Sequence, residues 1–453
     1  MGKDQIGTFA RPADKQQVLD LAAKQDVRFV LLQFTDILGV VKSVAIPVEQ
    51  MEKALDGETM FDGSSVHGFV RIEESDMLLK ADPTTFAVLP WSDGGRGHTA
   101  RLICDILTPD GEPFSGCPRQ ALKRVAAQAA DLGYVLNAGP EAEFFLFHCD
   151  SDGRPSLKTH DQGSYFDLAP LDKGKDARRE IVISLQEIGF EVEASHHEAA
   201  PAQHEIDFRY ADALTTADNL VTFKTVVRTI ASRHGLHATF MPKPVMGING
   251  SGMHIHQSLF SGKENAFYDA GGEYQLSELC LHYLGGILAH ARGFTAVTNP
   301  LVNSYKRLVP GYEAPVYVAW SERNRSPLVR IPARRGLGTR LELRSPDPAC
   351  NPYLALAVTL AAGLDGVRQR TEPPKPLAQN IYQMSERDRR RLRISSLPGS
   401  LEDAVAELAR DEVVCAALGE HILQHFLEAK RVETDVYRTQ VHQWELDHYL
   451  GVY

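Results

Sequence analysis

The stretch Gly139-Pro-Glu-Ala-Glu-Phe-Phe-Leu-Phe147 decides how the rest of the chain is interpreted. Its first two residues are a turn signal, and the aromatic run after them predicts a strand entered from a tight turn. Because alternate side chains on a strand share a face, we expect Glu141 and Glu143 to point the same way, roughly 6.5–7 Å apart. Two solvated surface acids would also fit such a pair. The flanking residues are apolar, however, and a buried acid pair is costly unless a cation such as a metal ion accompanies it.

The composition is that of an ordinary globular protein, with 43% hydrophobic and 24% charged residues among 453. This length is sufficient for more than one domain with its own core. The net charge of −11 argues against a nucleic acid partner, because a phosphate backbone requires a basic face. The six cysteines are scattered without a Cys-x-x-Cys pair, which favours reduced thiols in a cytoplasmic protein. We expect neither a secretory signal nor a membrane span, since no apolar run approaches ~20 residues.

Two domains are predicted from the order of the local patterns. Residues 1–113 mix strands with short helices, which is typical of a small α+β domain. The turn at Pro109-Asp-Gly111 and the loop after it mark the predicted boundary. The second domain, residues 114–453, alternates long helices with strands. Its last part is predicted to be helical over residues 351–368, 401–408, 411–431 and 433–449.

Several strands of the second domain are predicted to carry polar residues on one face. Polar and apolar residues alternate in His204-Glu-Ile-Asp-Phe-Arg-Tyr210, as in a half-buried strand. Another strand places His254, His256 and Ser258 on one face, and a third places Glu342 between two arginines. Each strand alone has a simpler explanation, such as a solvated histidine pair or a salt bridge. Together with the first two glutamates they form an oxygen-rich set, which suits Mg²⁺ or Mn²⁺ better than zinc.

Arginines are clustered downstream, at positions 307, 323, 325, 330, 340 and 344. Guanidinium groups match carboxylate and phosphate oxygens, and with divalent cations they indicate phosphoryl transfer. A glycosidase would need only two carboxylates and would leave the arginines without a role. Neither Gly-x-x-x-x-Gly-Lys-Ser/Thr nor Gly-x-Gly-x-x-Gly is present. We therefore expect a nucleotide to be held on a sheet by metals and arginines rather than by a phosphate-binding loop.

The chain resembles the glutamine synthetase family over nearly its whole length. The resemblance rests on six segments: Phe61-Asp-Gly-Ser-Ser65, Glu141-Ala-Glu-Phe-Phe145, Asn249-Gly-Ser-Gly-Met-His-Ile-His256, Asn303-Ser-Tyr-Lys-Arg-Leu-Val-Pro-Gly-Tyr-Glu313, Asn324-Arg-Ser-Pro-Leu-Val-Arg-Ile-Pro332 and Glu342-Leu-Arg-Ser-Pro346. The length and the tail most resemble the short alpha form of the type I bacterial enzyme. The resemblance implies an α+β fold with a small β-grasp-like N-terminal domain and a large catalytic domain. In the catalytic domain a curved antiparallel sheet, a half-barrel, carries the metal site, and helices lie outside it.

The resemblance also implies roles for individual residues. Two or more divalent cations, Mg²⁺ or Mn²⁺, are expected on Glu143, Glu198 and Glu205 and on Glu141, His254 and Glu342. Glutamate is expected to contact Asn249, Gly250, Arg307, Glu313 and Arg344. ATP is expected to contact Glu193, His256, Ser258, Arg325 and Arg330. The implied catalytic residues are Asp62, which takes a proton from ammonium, Glu313, the acid of a closing flap, and Arg325.

The implied activity is the ATP-dependent ligation of ammonia to the γ-carboxylate of L-glutamate in nitrogen assimilation. It passes through γ-glutamyl phosphate and gives L-glutamine, ADP and phosphate. One alternative is a γ-glutamyl ligase of the same fold that uses an organic amine, such as a polyamine or ethanolamine. The presence of both Asp62 and Glu313 favours ammonia. A second alternative, a non-catalytic relative with a structural or regulatory role, predicts lost ligands, and none is lost.

Regulation is implied at two positions. Arg71 resembles the alpha-form residue that makes glutamine a feedback inhibitor, although a surface salt bridge with Glu73 or Glu74 would also explain it. Tyr382 falls where the other type I form is adenylylated. The acidic, proline-rich context of that form is missing, so we expect no such modification here.

The implied assembly is a homo-oligomer of twelve subunits in two stacked six-membered rings. Asp62 of one subunit then completes the site of its neighbour, and the C-terminal segment 444–453 reaches across to the other ring. A head-to-tail ring of this kind uses heterologous contacts that close by rotation. Regulatory protein partners are also consistent with the family.

Overall fold

A computed structural model describes residues 12–64, 66, 68, 76–92 and 95–453. Arg71 lies outside these residues. The first elements of the chain are α1 (Lys15–Lys24), β1 (Val27–Thr35), β2 (Val41–Pro47), α2 (Met51–Leu55), β3 (Thr59–Asp62), β4 (Asp76–Ala81), β5 (Ala87–Val88) and β6 (His98–Leu107).

These strands form one sheet in the order β2-β1-β6-β4-β3, with β5 also paired to β6. β1 and β6 run parallel in the middle of the sheet, and their neighbours are antiparallel. Val30, Leu32 and Leu102 from the central pair are fully buried and share a core with Val18 of α1. A mixed sheet with a helix packed on it is the β-grasp arrangement expected for this part of the chain.

The second part of the chain has a longer series of elements. They are α3 (Pro118–Asp131), β7 (Val135–Ala142), β8 (Phe144–Cys149), β9 (Pro155–Thr159), α4 (Lys175–Glu187), β10 (Val192–His197), β11 (Gln203–Phe208), β12 (Ala211–Asp212), α5 (Ala213–Arg233), β13 (Leu236–Thr239), β14 (Met253–Ser261), β15 (Glu264–Asn265), α6 (Glu278–Ala289), α7 (Ala291–Thr298), α8 (Ser304–Arg307), β16 (Trp320–Ser321), β17 (Val329–Arg330), β18 (Leu341–Leu343), α9 (Pro352–Gln369), α10 (Glu386–Arg391), α11 (Leu401–Leu408), α12 (Glu412–Leu418), α13 (Glu420–Arg438) and α14 (Gln443–Tyr449).

Two sheets, antiparallel except for one short pair, form the framework of this second part. One sheet has the order β12-β7-β14-β18-β17-β16, with β15 added to β14. The other has the order β10-β11-β8-β13, with β9 added to β8. Together they make the curled half-barrel, and the helices pack outside it around the almost entirely buried α9. The predicted fold class is therefore confirmed.

The prediction of a turn at Gly139-Pro140 followed by one strand to Phe147 is wrong in two respects, because both turn residues lie inside β7 and the strand is broken at one residue. β7 ends at Ala142, β8 begins at Phe144, and the two strands belong to different sheets. Glu143 lies between them, and its N–H donates to the Gly252 carbonyl oxygen at 3.1 Å. Because the chain changes sheets at Glu143, the two glutamates are not on one face of a continuous strand.

The helical C-terminal region also differs from the prediction. The helix predicted over residues 411–431 is divided into α12 and α13 at Gly419, whose φ of 80° is readily adopted only by glycine. α13 then continues to Arg438, through the predicted break near residue 432, and α14 begins only at Gln443. None of the described helices is both long enough and apolar enough to cross a membrane.

Candidate active site

One predicted metal group is assembled by three neighbouring strands. β7 and β14 pair so that Glu141 lies opposite His254, and β18 places Glu342 opposite His256. His254 Nδ1 lies 3.4 Å from Glu141 Oε2 and 3.8 Å from Glu342 Oε1. Two carboxylates and one imidazole nitrogen therefore converge within reach of a single cation.

The protonation states of this group suit a cation. Burial and the charge of Arg344 lower the pKa of His254 to about 4, so its imidazole is neutral at neutral pH, which is the state in which a histidine binds a metal ion. Burial opposes the ionisation of Glu141, but hydrogen bonds with His254 and His256 hold its pKa below the usual value. Burial is likewise outweighed at Glu342, where His254 and Arg344 hold the pKa below its usual value.

Glu342 connects this group to two predicted substrate-binding arginines. Arg330 Nε donates to one of its carboxylate oxygens, and Arg344 Nη1 donates to the other. The carboxylate is only 1% exposed, so both ion pairs are shielded from water. The residues predicted for ATP and for glutamate thus meet at a predicted metal ligand.

A second chain of contacts leads from Arg340 to Glu141. Arg340 Nε donates to His256 Nδ1 at 3.0 Å, and His256 Nε2 lies 2.8 Å from Glu141 Oε1. Since Nδ1 of this ring accepts a hydrogen bond, Nε2 carries the hydrogen and donates to the glutamate. His256 is therefore held in one tautomer and one orientation.

The other predicted metal group surrounds the turn between β10 and β11. Glu205 in β11 is paired with His196 in β10, and Glu198 follows the end of β10. His196 Nε2 lies 3.3 Å from Glu205 Oε1, and its Nδ1 lies 3.5 Å from Glu198 Oε1. Glu143 is connected to the same group, because Gln203, the first residue of β11, donates to Glu143 Oε2 at 2.8 Å, and the charges of Glu198 and Glu205 add to burial in raising the pKa of Glu143.

Burial and neighbouring negative charges, including that of Glu141, raise the pKa values of the acids in this second group. Burial is the main cause that raises the pKa of Glu143 and of Glu198 above the usual value. Burial, Asp207 and Glu141 raise the pKa of Glu205 to about 10, and burial and Glu141 raise that of Asp207 to about 7. A bound divalent cation stabilises the ionised form of carboxyl groups that lie this close together. The oxygen-rich donor set fits Mg²⁺ or Mn²⁺.

Two residues of this group were not predicted as site residues. A ligand atom from each of His196, Glu205 and Asp207 lies within 4.8 Å of the other two. Asp207 alternates with Glu205 in the strand pattern, and this alternation was a usable signal. His196 is the next-to-last residue of β10, an ordinary strand, and nothing in its local sequence distinguishes it.

A third group of potential ligands lies deeper, in His160, Asp161 and His204. Arg178 Nη1 donates to His204 Nδ1 at 2.9 Å, which places the ring hydrogen of His204 on Nε2. A histidine in this state, beside a guanidinium, is a poor metal ligand. Asp161 instead accepts hydrogen bonds from the Ala202 N–H and from His197, and so supports the turn that carries Glu198.

A cavity of about 480 Å³ opens beside Glu141. Three predicted ATP residues, Glu193, His256 and Ser258, line it together with Arg340. Its position between the metal ligands and a row of polar side chains suits a nucleotide whose phosphates face the cations. Arg340 is one of the arginines clustered in the sequence, but no role at this cavity was predicted for it.

The predicted glutamate residues are close together near β14. Arg307 is buried, and it donates through Nη1 to the Ser345 carbonyl oxygen at 2.7 Å and through Nη2 to that of Arg344 at 3.3 Å. Gly250 needs its lack of a side chain, because a Cβ there would lie 2.2 Å from the Pro242 carbonyl oxygen. These contacts hold the guanidinium and the glycine loop in fixed positions.

The predicted flap acid, Glu313, contacts the same loop. Asn249 Nδ2 donates to Glu313 Oε2 at 3.2 Å, and Glu313 has a φ of 57°, an unusual value for a residue with a side chain. The preceding Tyr312 receives Lys243 Nζ over its ring at 3.7 Å from the centroid. The flap is thus attached to the loop by one hydrogen bond and one cation–π contact.

Two predicted catalytic residues are not joined to the metal groups. Asp62 is exposed at the end of β3, where its carboxylate accepts a hydrogen bond from the Ser64 N–H. Arg325 is exposed on a loop. Among the described residues, no hydrogen bond or ion pair links either side chain to the metal ligands.

Comparison with known proteins identifies the family. The glutamine synthetase β-grasp domain matches residues 26–109, and the glutamine synthetase catalytic domain matches residues 115–449. The chain is 61% identical to a glutamine synthetase of Thermus thermophilus over 442 residues, which cover 97% of this chain and 99% of that protein. It is 56% identical to one of Staphylococcus aureus over 444 residues, or 98% and 99% of the two chains.

Solved structures agree with this result. A structure of GmaS in complex with ADP superposes with a TM-score of 0.87 at 35% identity, covering 97% of this chain and all of that one (100%). A cryo-EM structure of Plasmodium falciparum glutamine synthetase gives 0.85 at 25% identity, covering 97% and 99% of the two chains.

The fold and the site thus define an ATP-dependent ligase that forms a carbon–nitrogen bond. The chain belongs to the glutamine synthetase family. It catalyses the ligation of ammonia to L-glutamate to give L-glutamine, with ATP as co-substrate and divalent metal as cofactor.

Proposed function

We propose that the two groups of acids hold separate divalent cations, Mg²⁺ or Mn²⁺. One cation is assigned to Glu143, Glu198 and Glu205, and the other to Glu141, His254 and Glu342. The observation that carries this assignment is the break between β7 and β8, which assigns Glu141 and Glu143 to different sheets. When bound, the cations neutralise phosphate charge during phosphoryl transfer.

The cavity beside Glu141 is proposed to hold ATP. Glu193, His256 and Ser258 line it. Arg330 lies on the strand next to β18 and donates a hydrogen bond to Glu342. Arg325 is also assigned to binding the phosphates of ATP. The complex of GmaS with ADP on the same fold supports a nucleotide at this site.

Glutamate is proposed to bind between Arg307 and Arg344, beside Asn249 and Gly250. Ligation first requires an activated carboxylate, and ATP supplies it by forming γ-glutamyl phosphate. Glu313 closes over this intermediate and keeps water away from it. The bond between Asn249 and the flap acid supports this closure.

Asp62 is proposed to take a proton from ammonium, so that ammonia can attack the acyl phosphate. In one chain it lies at the end of β3 without contact to the metal groups, which supports its acting in the site of a neighbouring subunit. We assign the chain to a dodecamer of two six-membered rings. The exposed apolar side chains of the C-terminal segment, Trp444, Leu450 and Val452, support its docking on another subunit.

We make four further assignments. The domain boundary near residue 113 is supported by the two family models, because the β-grasp match ends at residue 109 and the catalytic match begins at residue 115. A cytoplasmic location is supported by six unpaired cysteines. Arg71 is assigned as the residue that makes glutamine a feedback inhibitor. Tyr382 donates its hydroxyl to the Ala314 carbonyl oxygen, and we expect it not to be adenylylated.

The assay that tests the substrate assignment is phosphate release from ATP. Release should require both glutamate and ammonium, and putrescine or ethanolamine should not replace ammonium. A rate with either organic amine that matches the rate with ammonium would contradict the assignment. Glu141→Gln should lower phosphate release with every amine, because the proposed cation acts before the amine does.

A further inference from the structure

Gln203 is the first residue of β11 and lies where the two predicted substrate regions meet. Its side chain is almost fully buried, at 1% exposure. The turn that carries Glu198 is on one side of it, and the Gly250 loop is on the other. Its backbone belongs to the same turn, since the Gln203 carbonyl oxygen accepts from the Glu198 N–H at 2.8 Å.

Three hydrogen bonds use the whole side-chain amide. Nε2 donates to Glu143 Oε2 at 2.8 Å and to the Gly250 carbonyl oxygen at 3.1 Å. Oε1 accepts from the Ala200 N–H at 3.3 Å. The orientation is unambiguous, because the flipped amide would aim its oxygen at two acceptors and its NH₂ group at a donor.

These bonds determine which oxygen of Glu143 is free. Oε2 receives both Gln203 Nε2 and the Gly252 N–H, the latter at 2.9 Å. No described residue donates to Oε1, which is therefore the oxygen available to a cation. The same amide group holds the carbonyl of Gly250, the glycine that has no room for a side chain.

We propose that Gln203 is a positioning residue that couples the Glu143 cation group to the glutamate loop. This inference rests on the proposed assignment of those two regions. A shift of the Gly250 loop upon glutamate binding changes the bond to Gln203 and, through it, the position of Glu143. By linkage, occupancy of either site then changes the affinity of the other by the same factor.

The test is direct Mn²⁺ binding, followed through the paramagnetic signal of free Mn²⁺, with and without saturating glutamate and in the absence of ATP. In the wild type we expect glutamate to tighten one Mn²⁺ site by about fivefold or more, the lower end of typical couplings. Gln203→Met keeps the side-chain length and removes all three bonds. The coupling factor is the ratio of the Mn²⁺ dissociation constants measured without and with glutamate. We expect Gln203→Met to reduce this factor about threefold or more, in addition to any weakening of Mn²⁺ binding or glutamate binding alone.

The matched control is Gln257→Met. Gln257 is also 1% exposed, lies in β14 and makes two buried side-chain bonds, with Thr359 Oγ1 at 3.1 Å and with the Tyr283 hydroxyl at 2.7 Å. These partners belong to the core. This variant should therefore lose stability and keep the wild-type coupling factor.

The outcomes separate the inference from the assignment on which it rests. If Glu143→Gln removes no Mn²⁺ site from the wild type, the proposed cation group is wrong. If that site exists but the wild type shows no coupling, or Gln203→Met retains the full factor, the inference about Gln203 is overturned. Should Gln203→Met fail to fold, Gln203→Glu is measured instead, since it keeps the acceptor for Ala200 and replaces the doubly donating NH₂ group.

Discussion

At Glu143 the backbone leaves one sheet and enters another, and the site depends on this single residue. Its N–H bonds to Gly252 rather than to a strand partner, so the ladder of β7 stops one residue earlier. Glu141 stays with His254 and His256, whereas Glu143 turns toward Glu198 and Glu205. Two glutamates separated by one residue can thus serve two groups.

The first prediction concerns His254, the nitrogen donor of its group. Its neutral imidazole lies between Glu141 and Glu342, so His254→Ala removes one ligand and leaves two carboxylates facing each other. We expect the Mg²⁺ concentration for half-maximal activity to rise at least about tenfold, since even indirect partners of a metal cost that much. The measurement is a Mg²⁺ titration of glutamine formation.

The matched control is His234→Ala. His234 is exposed, and its Nε2 lies 2.7 Å from Glu180 Oε2, so it is another histidine beside a glutamate. This variant should keep the wild-type Mg²⁺ requirement. An unchanged requirement in His254→Ala would remove this residue from the metal site.

Among the elements, β14 organises the site. It pairs with β7 on one side and with β18 on the other, which aligns His254 with Glu141 and His256 with Glu342. Between these two histidines Ile255 points into the core, and Gln257 bonds to core residues on the same side. The strand is therefore fixed by the core on one face and presents ligands on the other.

The helices behind the sheet are held by a close approach of α6 and α9. A Cβ on Gly366 would lie 2.2 Å from the His282 carbonyl oxygen and 2.5 Å from the Gly286 nitrogen. Alanine is the better helix former by about 1 kcal/mol. At this position, however, its Cβ would clash with backbone atoms of α6, which can move away only if the helix itself shifts. We expect Gly366→Ala to destabilise the protein by about 1–3 kcal/mol, the usual cost of overpacking, measured by denaturant unfolding.

Gly399→Ala is the control for this prediction, because nothing lies within 4 Å of a Cβ at that exposed position. It should leave the unfolding midpoint unchanged within error. Equal stability of the two variants would show that the helices separate at little cost.

The elements also show what could be predicted from sequence. Alternation of polar and apolar residues located the strands of Glu205, His254 and Glu342, because each has one face in the core. It could not locate the break at Glu143, since the Glu143 N–H donates to the carbonyl oxygen of Gly252, more than a hundred residues away in the sequence. The roles of His196 and Gln203 were missed for the same reason, as their partners are assembled only by the fold.

For the whole molecule, the placement of the N-terminal domain decides where Asp62 can act. Arg119 of α3 donates to Asp82 and Asp105 on one side and to Asp218 on the other, with distances of 2.7–3.0 Å. This buried group joins the β-grasp sheet to α5 of the catalytic part. A domain held in this way supports the proposal that Asp62 acts in the site of a neighbouring subunit.

The corresponding prediction is complementation between two inactive variants. Asp62→Ala lacks the proposed proton acceptor, and Glu342→Ala lacks a proposed metal ligand, so each alone should be nearly inactive. In rings co-assembled from equal amounts, about a quarter of the sites should combine an intact Asp62 with an intact Glu342 across a head-to-tail contact. Glutamine formation by the co-assembled rings should therefore return to about a quarter of the wild-type rate. Mixed rings as inactive as the parents would show that Asp62 acts within its own chain.

The most direct test of the account is the number of Mn²⁺ ions bound by the whole protein when either of the two central glutamates is changed. The wild type should bind at least two Mn²⁺ ions tightly per chain. Glu141→Gln and Glu143→Gln should each lose one, and the double variant should lose both. If the two single variants weaken the same ion and the double variant loses no more than either, the two glutamates belong to one site, and the division of the site at the strand break is wrong.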